Sequence, residues 1–171
     1  MDVKLSRPVA WGGKTYEALA LDFGGLTCGD IIACVETADA LTNLVINDPA
    51  SDLHVQTVVA AKAAGVIPPM LRQALSARDL LRVTRAAGEW LGSGKPIAMA
   101  LDELPGAALL ECADEAARQA PRGIAVLRLS VHYHVALAAR ASGRGVDEVK
   151  ALAGHDGIAT LREVRRFLLE D

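Results

Sequence analysis

Residues 18–22 read Ala18-Leu19-Ala20-Leu21-Asp22, and residues 98–102, displaced by 80, read Ala98-Met99-Ala100-Leu101-Asp102. Working outward from this pair, Leu26, Cys34, Ala38, Ala61, Ala63 and Gly65 return as Leu104, Cys112, Ala116, Ala139, Ala141 and Gly143, displaced by 78 (26 to 104). Leu75, Asp79 and Leu91 return as Leu152, Asp156 and Leu168, displaced by 77 (75 to 152). Lys62 and Arg140, Trp90 and Phe167, and Glu36 and Asp114 are like-for-like replacements in the same register. Features recurring in order at a near-constant period point to one supersecondary unit written twice. The expected organisation is therefore an internal pseudo-twofold duplication, with a first copy over residues 1–93 and a second over 94–171. The joint is Gly92-Ser93-Gly94-Lys95-Pro96, where the proline keeps the preceding helix from running on.

Local signals give the elements of each copy. Residues 3–10 and 15–21 flank Trp11-Gly12-Gly13-Lys14, the pattern of a hairpin with a glycine turn. Thr27-Cys28-Gly29-Asp30 has the capping residues of a helix start, and that helix is expected to reach about Val45. Ser51 or Asp52 caps a second helix that stops at Gly65, Pro68-Pro69 opens a short third, and Ser76 to Asp79 starts a fourth. Along that last helix Leu80, Val83, Ala87 and Leu91 share one apolar face. The second copy repeats the order with a single strand over 96–101, then helices over 105–120, 123–142, 146–152 and 156–169. A lone strand leaves its backbone groups without partners, so residues 96–101 are expected to join the hairpin as a third strand, making one cooperative domain. The fold class expected is mainly α with a small antiparallel β-sheet (α+β).

Composition narrows the function. The chain has 171 residues, 18 basic and 21 acidic side chains, a formal net charge of −3, 51% hydrophobic and 23% charged residues, which are globular proportions. Mild acidity and only two Trp, two Tyr and two Phe disfavour a polyanion binder or a base-stacking platform, so no nucleic-acid partner is expected. Residues 141–167 have the outline of helix, turn, helix, but the six basic and six acidic residues from Arg140 to Asp171 cancel, unlike the positive field of a DNA-reading helix. No apolar run reaches the ~18 residues of a membrane span and no signal peptide is evident, and Cys28, Cys34 and Cys112 do not form a secreted disulfide framework. A cytoplasmic protein is expected.

Candidate chemistry fails on spacing. His132 and His134 lie in a helical pattern, where an i, i+2 pair is about 200° apart around the axis and cannot share a metal. Gly92-Ser93-Gly94-Lys95 lacks the first glycine and the hydroxyl of a phosphate loop, since Glu89 and Pro96 stand there. There is no Gly-x-Ser-x-Gly elbow, and Cys34 and Cys112 sit in apolar helical stretches as small hydrophobes. No enzyme activity, catalytic residue, metal or cofactor is expected.

The first half, from Val3-Lys4-Leu5-Ser6-Arg7-Pro8 through Gly13-Lys14 and Leu19-Ala20-Leu21 to Leu26-Thr27-Cys28-Gly29-Asp30, resembles the small tail-assembly chaperones of Mu-like tailed phages. The order continues with Gly65-Val66-Ile67-Pro68, Leu75 to Asp79, and Trp90-Leu91. The resemblance covers about 90 residues and implies an assembly factor, without catalytic residues, that binds the helical tape-measure protein and prevents its aggregation until the tail tube polymerises. The partners it implies are the tape-measure protein and the tail tube protein, with room for a homo-oligomer. The second copy departs from the pattern, with Pro105, Gly106 and Ala108 where Thr27, Cys28 and Asp30 stand. Trp11, Trp90 and Phe167 are the residues singled out for partner contact. The alternative is a helical small-ligand-binding or regulatory domain, marked by a pocket between the copies.

Overall fold

Gly12 and Gly13 both take positive φ, +56° and +77°, which makes the two-residue turn whose twist matches flanking antiparallel strands. That turn joins β1 (Asp2–Trp11) to β2 (Lys14–Ala20) in a computed structural model that describes residues 1–42, 46, 48–120 and 126–170. The protein is mainly helical, and the hairpin is the only sheet among the described residues. The ladder slips between Lys4, paired with Ala18, and Val9, paired with Tyr16. Pro8, which has no N–H to give to a ladder, sits in that irregular stretch. Three extra residues on β1 reverse its alternation. Val3 and Leu19 share one face of β2 near the base, whereas Val9, Trp11 and Tyr16 share the opposite face at the tip.

Residue contacts divide the chain into two compact units. Unit 1 comprises Met1–Leu26 and Ala33–Gly92, and unit 2 comprises Thr27–Ile32 and Ser93–Asp171. The boundary at Gly92–Ser93 falls beside the expected joint, but Thr27–Ile32, the start of the first helix, groups with unit 2.

In unit 1 each helix end follows from its sequence. α1 (Cys28–Thr42) begins in unit 2 with Thr27 Oγ1 accepting from the Asp30 amide at 3.2 Å and Asp30 accepting from the Thr27 amide at 2.9 Å, a reciprocal cap. Residues 43–45, the last part of the expected helix, lie outside the described residues. α2 (Leu53–Ala63) is capped by Asp52, which accepts from the amides of His54 and Val55. It closes at Gly65, φ +64°, with the Val66 amide donating to the Ala61 carbonyl at 2.9 Å. α3 (Pro68–Ala74) carries proline in its first turn, and α4 (Ala77–Gly92) follows. Leu19, Val55, Val59, Met70, Leu71, Val83 and Leu91 are sealed in the core of this unit.

Unit 2 repeats this order with α5 (Gly106–Gln119), α6 (Val131–Ser142), α7 (Val146–Lys150) and α8 (Gly154–Leu169). Several of its details recur at a displacement of 78, and by this measure Ala100 rather than Asp102 answers to Asp22. Gly143 closes α6 with φ +67°, and the Arg144 amide donates to the Ala139 carbonyl at 3.0 Å, 78 residues beyond the Gly65 closure. Asp22 donates to the Ala63 carbonyl at 3.0 Å in unit 1, and Ala100 donates to the Ala141 carbonyl at 2.9 Å in unit 2. Gln56 Nε2 donates to the Ala50 carbonyl at 2.7 Å, and His134 Nε2 to the Arg128 carbonyl at 2.8 Å.

Two expectations are corrected. Residues 96–101 do not join the hairpin: residues 96–100 have no regular secondary structure and no ladder, and Leu101–Glu103 is a 3-10 turn. Its amides are met from helices instead. Lys95 donates to Asp156 Oδ1 at 2.8 Å, Ile97 to Thr160 Oγ1 at 3.2 Å, and Ala100 to the Ala141 carbonyl. Three of the segment's amides thus find acceptors on α8 side chains and on an α6 carbonyl rather than on a strand. The long helix expected over 123–142 starts only at Val131, after a 3-10 turn at Leu127–Leu129 and an extended Ser130. His134 takes the Arg128 carbonyl, which holds that turn against α6; residues 123–125 lie outside the described residues.

Candidate functional site

The three aromatic residues picked out from the sequence occupy different settings. Trp11 is half-buried at the tip of the hairpin, opposite Lys14 and on the same face as half-buried Tyr16. Trp90, on the last turn of α4, stacks on buried Phe23, with ring centroids 5.0 Å apart and planes 15° from parallel. Its ring is partly committed to holding the chain after β2 against α4. Phe167 lies half-buried on α8 in unit 2. Of the three, Trp11 is the one placed at a hairpin tip.

Around Asp79 the sequence showed only a helix cap, whereas the fold builds a buried anchor. The side chain has no solvent-accessible surface. Ser6, freed from the ladder by the slip in β1, gives Asp79 its amide at 3.1 Å and its hydroxyl at 2.5 Å, and Ser76 adds its hydroxyl at 2.8 Å. These hydrogen bonds, with Arg82 3.5 Å away, hold the Asp79 carboxyl below the usual carboxylate range against the opposing cost of burial. Asp79→Ala should therefore cost unit 1 about 2 kcal/mol, because it leaves two serine donors without their shared acceptor. Urea unfolding followed by Trp fluorescence measures this. Since the folded carboxyl is the stronger acid, its contribution is complete above the unfolded value near 4 and declines as pH falls further. The wild type should lose this stability in strong acid, and the Ala variant should not.

In unit 2 a groove of about 310 Å³ runs between α5 and α6, floored by Cys112, Ala136, Ala139 and Val146 and walled by Glu111, Glu115, Arg118, Arg140 and Arg144. Its walls are largely charge-neutralised: Arg140 pairs with Glu111 at 3.2 Å and Arg118 with Glu115 at 2.5 Å. Leu110, 72% exposed, projects from the same helix. Such a polar rim over small apolar residues differs from the mostly apolar lining of a small-molecule site.

Two of the buried thiols are held in the protonated form. Burial pushes the Cys28 thiol up to about 12 and raises Cys112, so both are un-ionised at neutral pH and poor nucleophiles. Burial likewise pushes His134 down to about 4, so it is a neutral donor to the Arg128 carbonyl. Among the described residues no group of three His, Cys, Asp or Glu side chains is placed to hold a metal ion. No helix among them is long and apolar enough to cross a membrane.

No family model, curated protein or solved structure matches the chain. Its function therefore has to be argued from the residues and their placement. Sequence reasoning missed the Asp79 anchor and Phe23, although the Ser76-x-x-Asp79 cap signalled the first. Phe23 had no local signal, because its contact with Trp90 spans 67 residues (23 to 90).

Proposed function

We propose that this protein is a tail-assembly chaperone of the Mu-like phage kind, built as a tandem duplication of one helical unit. In this reading it acts in the host cytoplasm without catalysis, holding the tape-measure protein until the tail tube forms around it. The observation that carries the proposal is that the motifs of the resemblance fall, in order, on the joints of the fold. Gly12 and Gly13 make the hairpin turn, Thr27 and Asp30 the reciprocal cap of α1, and Gly65 the closure of α2. Pro68 opens α3, and Trp90 lies at the end of α4. The matched glycine closures, backbone bonds and helix order of the two units support the duplication. Un-ionised thiols and a neutral, internally bonded His134 support a binding role over an enzymatic one.

A chaperone of this sort needs surface for an amphipathic helix, whose apolar stripe is read at i, i+3, i+4 spacing. Two units in one chain raise the effective concentration of the second contact once the first has formed. Co-expression with the tape-measure gene tests the proposal. The expected result is a soluble tape-measure protein that co-elutes with this chain on gel filtration. A partner equally insoluble with and without the chain would overturn it.

A further inference from the structure

Along α4 the side chains Arg78, Arg82, Arg85 and Glu89 follow one another at i, i+4, i+7 and i+11, a stripe that stays on one side of the helix. The three arginines are exposed, and 78 to 85 spans about 10 Å of helix. β1 runs beside this stripe. Arg82 donates to the Lys4 carbonyl at 2.8 Å, and Ser6 is tied to Asp79 one turn earlier, which puts exposed Lys4 and Arg7 on the strand next to the stripe. Toward the end of the stripe, Met1, Val3 and Ala86 line a groove of about 210 Å³ with Arg82 and Arg85; Asp2 and Glu89 also border it.

Most of the basic groups on this face hold no acidic partner. Among the described residues the side chains of Lys4, Arg7, Arg78 and Arg85 form no ion pair, and the ion pair of Arg82 is with buried Asp79 at 3.5 Å. In unit 2, by contrast, Arg118, Arg140 and Arg166 each hold a glutamate. Like charges at i, i+3 and i, i+4 work against a helix, so this arrangement weakens α4 unless something acidic covers it.

We infer that this face docks an acidic amphipathic helix of a partner protein, with carboxylates spaced i, i+4, i+7 against Arg78, Arg82 and Arg85 and an apolar side chain in the groove floored by Val3 and Ala86. The inference names the chemistry of the partner in the proposed function and rests on that reading for the partner being a helical protein. Asp2 and Glu89 at the groove set the direction, because they repel a carboxylate and accept a lysine there. They also repel a continuous polyphosphate, which makes the face a poor nucleic-acid site.

The probe is a fluorescent 21-residue helical peptide with a leucine stripe and glutamates at i, i+4, i+7, assayed by anisotropy against the full chain. A peptide with lysines in place of the glutamates and a 20-base-pair duplex serve as comparators. The acidic peptide should bind, should weaken steeply as salt screens the pairs, and should lose about tenfold or more of its affinity to R78E/R85E. That variant should gain affinity for the lysine peptide while remaining folded, with a thermal transition no lower than that of the wild type, since both arginines are exposed and their mutual repulsion is removed. Equal binding of the acidic peptide by wild type and R78E/R85E, no binding by either, or a preference of the wild type for the lysine peptide or the duplex would each overturn the inference. If R78E/R85E still solubilises the tape-measure protein on co-expression, the docking face is wrong and the chaperone reading stands. If the peptide results hold and the wild type fails to solubilise, the chaperone reading falls and the acidic docking face remains.

Discussion

Alanine at Gly157 should destabilise unit 2 by about 3 kcal/mol or more, among the largest costs that a single methyl group can impose. Gly157 lies in the first turn of α8, directly against the start of α1. A Cβ built there would stand 2.3 Å from Cys28 Cβ, 2.5 Å from its Sγ and 3.2 Å from its Cα. Cys28 cannot swing aside, because its amide donates to the Leu152 carbonyl at 2.8 Å and its side chain has no exposed surface. Either the start of α1 or the first turn of α8 has to shift. Gly94 is tighter still, with a built Cβ 2.0 Å from the His155 carbonyl oxygen and 2.7 Å from the Asp156 amide nitrogen, so Gly94→Ala should fall in the same range. Gly106→Ala supplies the contrast. That position starts α5 with nothing within 4 Å, and alanine there should be neutral or stabilising by up to about 1 kcal/mol. Chemical denaturation of the four proteins decides the matter, and Gly157→Ala within about 0.5 kcal/mol of wild type would show the packing to be loose. Adding Cys28→Gly to Gly157→Ala should cost less than the two changes summed, because the second removes the atoms that the first strikes.

Gly94 also shows where sequence reasoning stopped. In the sequence it belongs to a Gly-Ser-Gly joint, the composition of a flexible connector, and nothing local says that it is pressed against the first turn of α8. Residues whose roles are local were legible: the Gly12-Gly13 turn, the Thr27 and Asp30 cap, Asp52, Gly65 and Gly143, and Pro68 all act within a few residues of themselves. The premise behind the third strand was also sound, since the amides of Lys95, Ile97 and Ala100 do find partners. It failed because Asp156 and Thr160, some sixty residues away, serve as acceptors as well as a strand would. The arginine stripe of α4 was readable as spacing, but its meaning depends on which acids stand nearby in space. Gln56 and His134 hid their equivalence because a neutral amide and an imidazole share no obvious likeness, although each donates to a carbonyl six residues back.

That last pair carries the second large effect. At neutral pH His134 does what Gln56 does, and the two units are held alike. His134 is buried at 4% exposure; burial is the main cause pushing it down to about 4, and Arg165 on α8 acts in the same direction, while the hydrogen bond to the Arg128 carbonyl opposes both. Its value in the unfolded chain is near 6.5, so between these limits the unfolded chain holds the proton more readily than the folded one. Stability from this site is complete above pH 6.5, declines as pH falls toward 4, and is level below that. The loss amounts to roughly 3 kcal/mol, from 1.36 kcal/mol for each pKa unit. Asp79 begins to matter only lower, below the ordinary carboxylate value, so unit 2 should weaken at a higher pH than unit 1. His134→Gln copies the Gln56 solution: it keeps a donor for the Arg128 carbonyl and removes the proton acceptor. The variant should match wild type at pH 7.5 within about 1 kcal/mol and exceed it at pH 4.5. Thermal unfolding across that range tests it. Parallel pH profiles for the two proteins would show that His134 does not set the acid sensitivity of unit 2. A flattened profile for the variant would show that one imidazole at an otherwise matched position gives the second copy a response to acid that the Gln56 contact lacks.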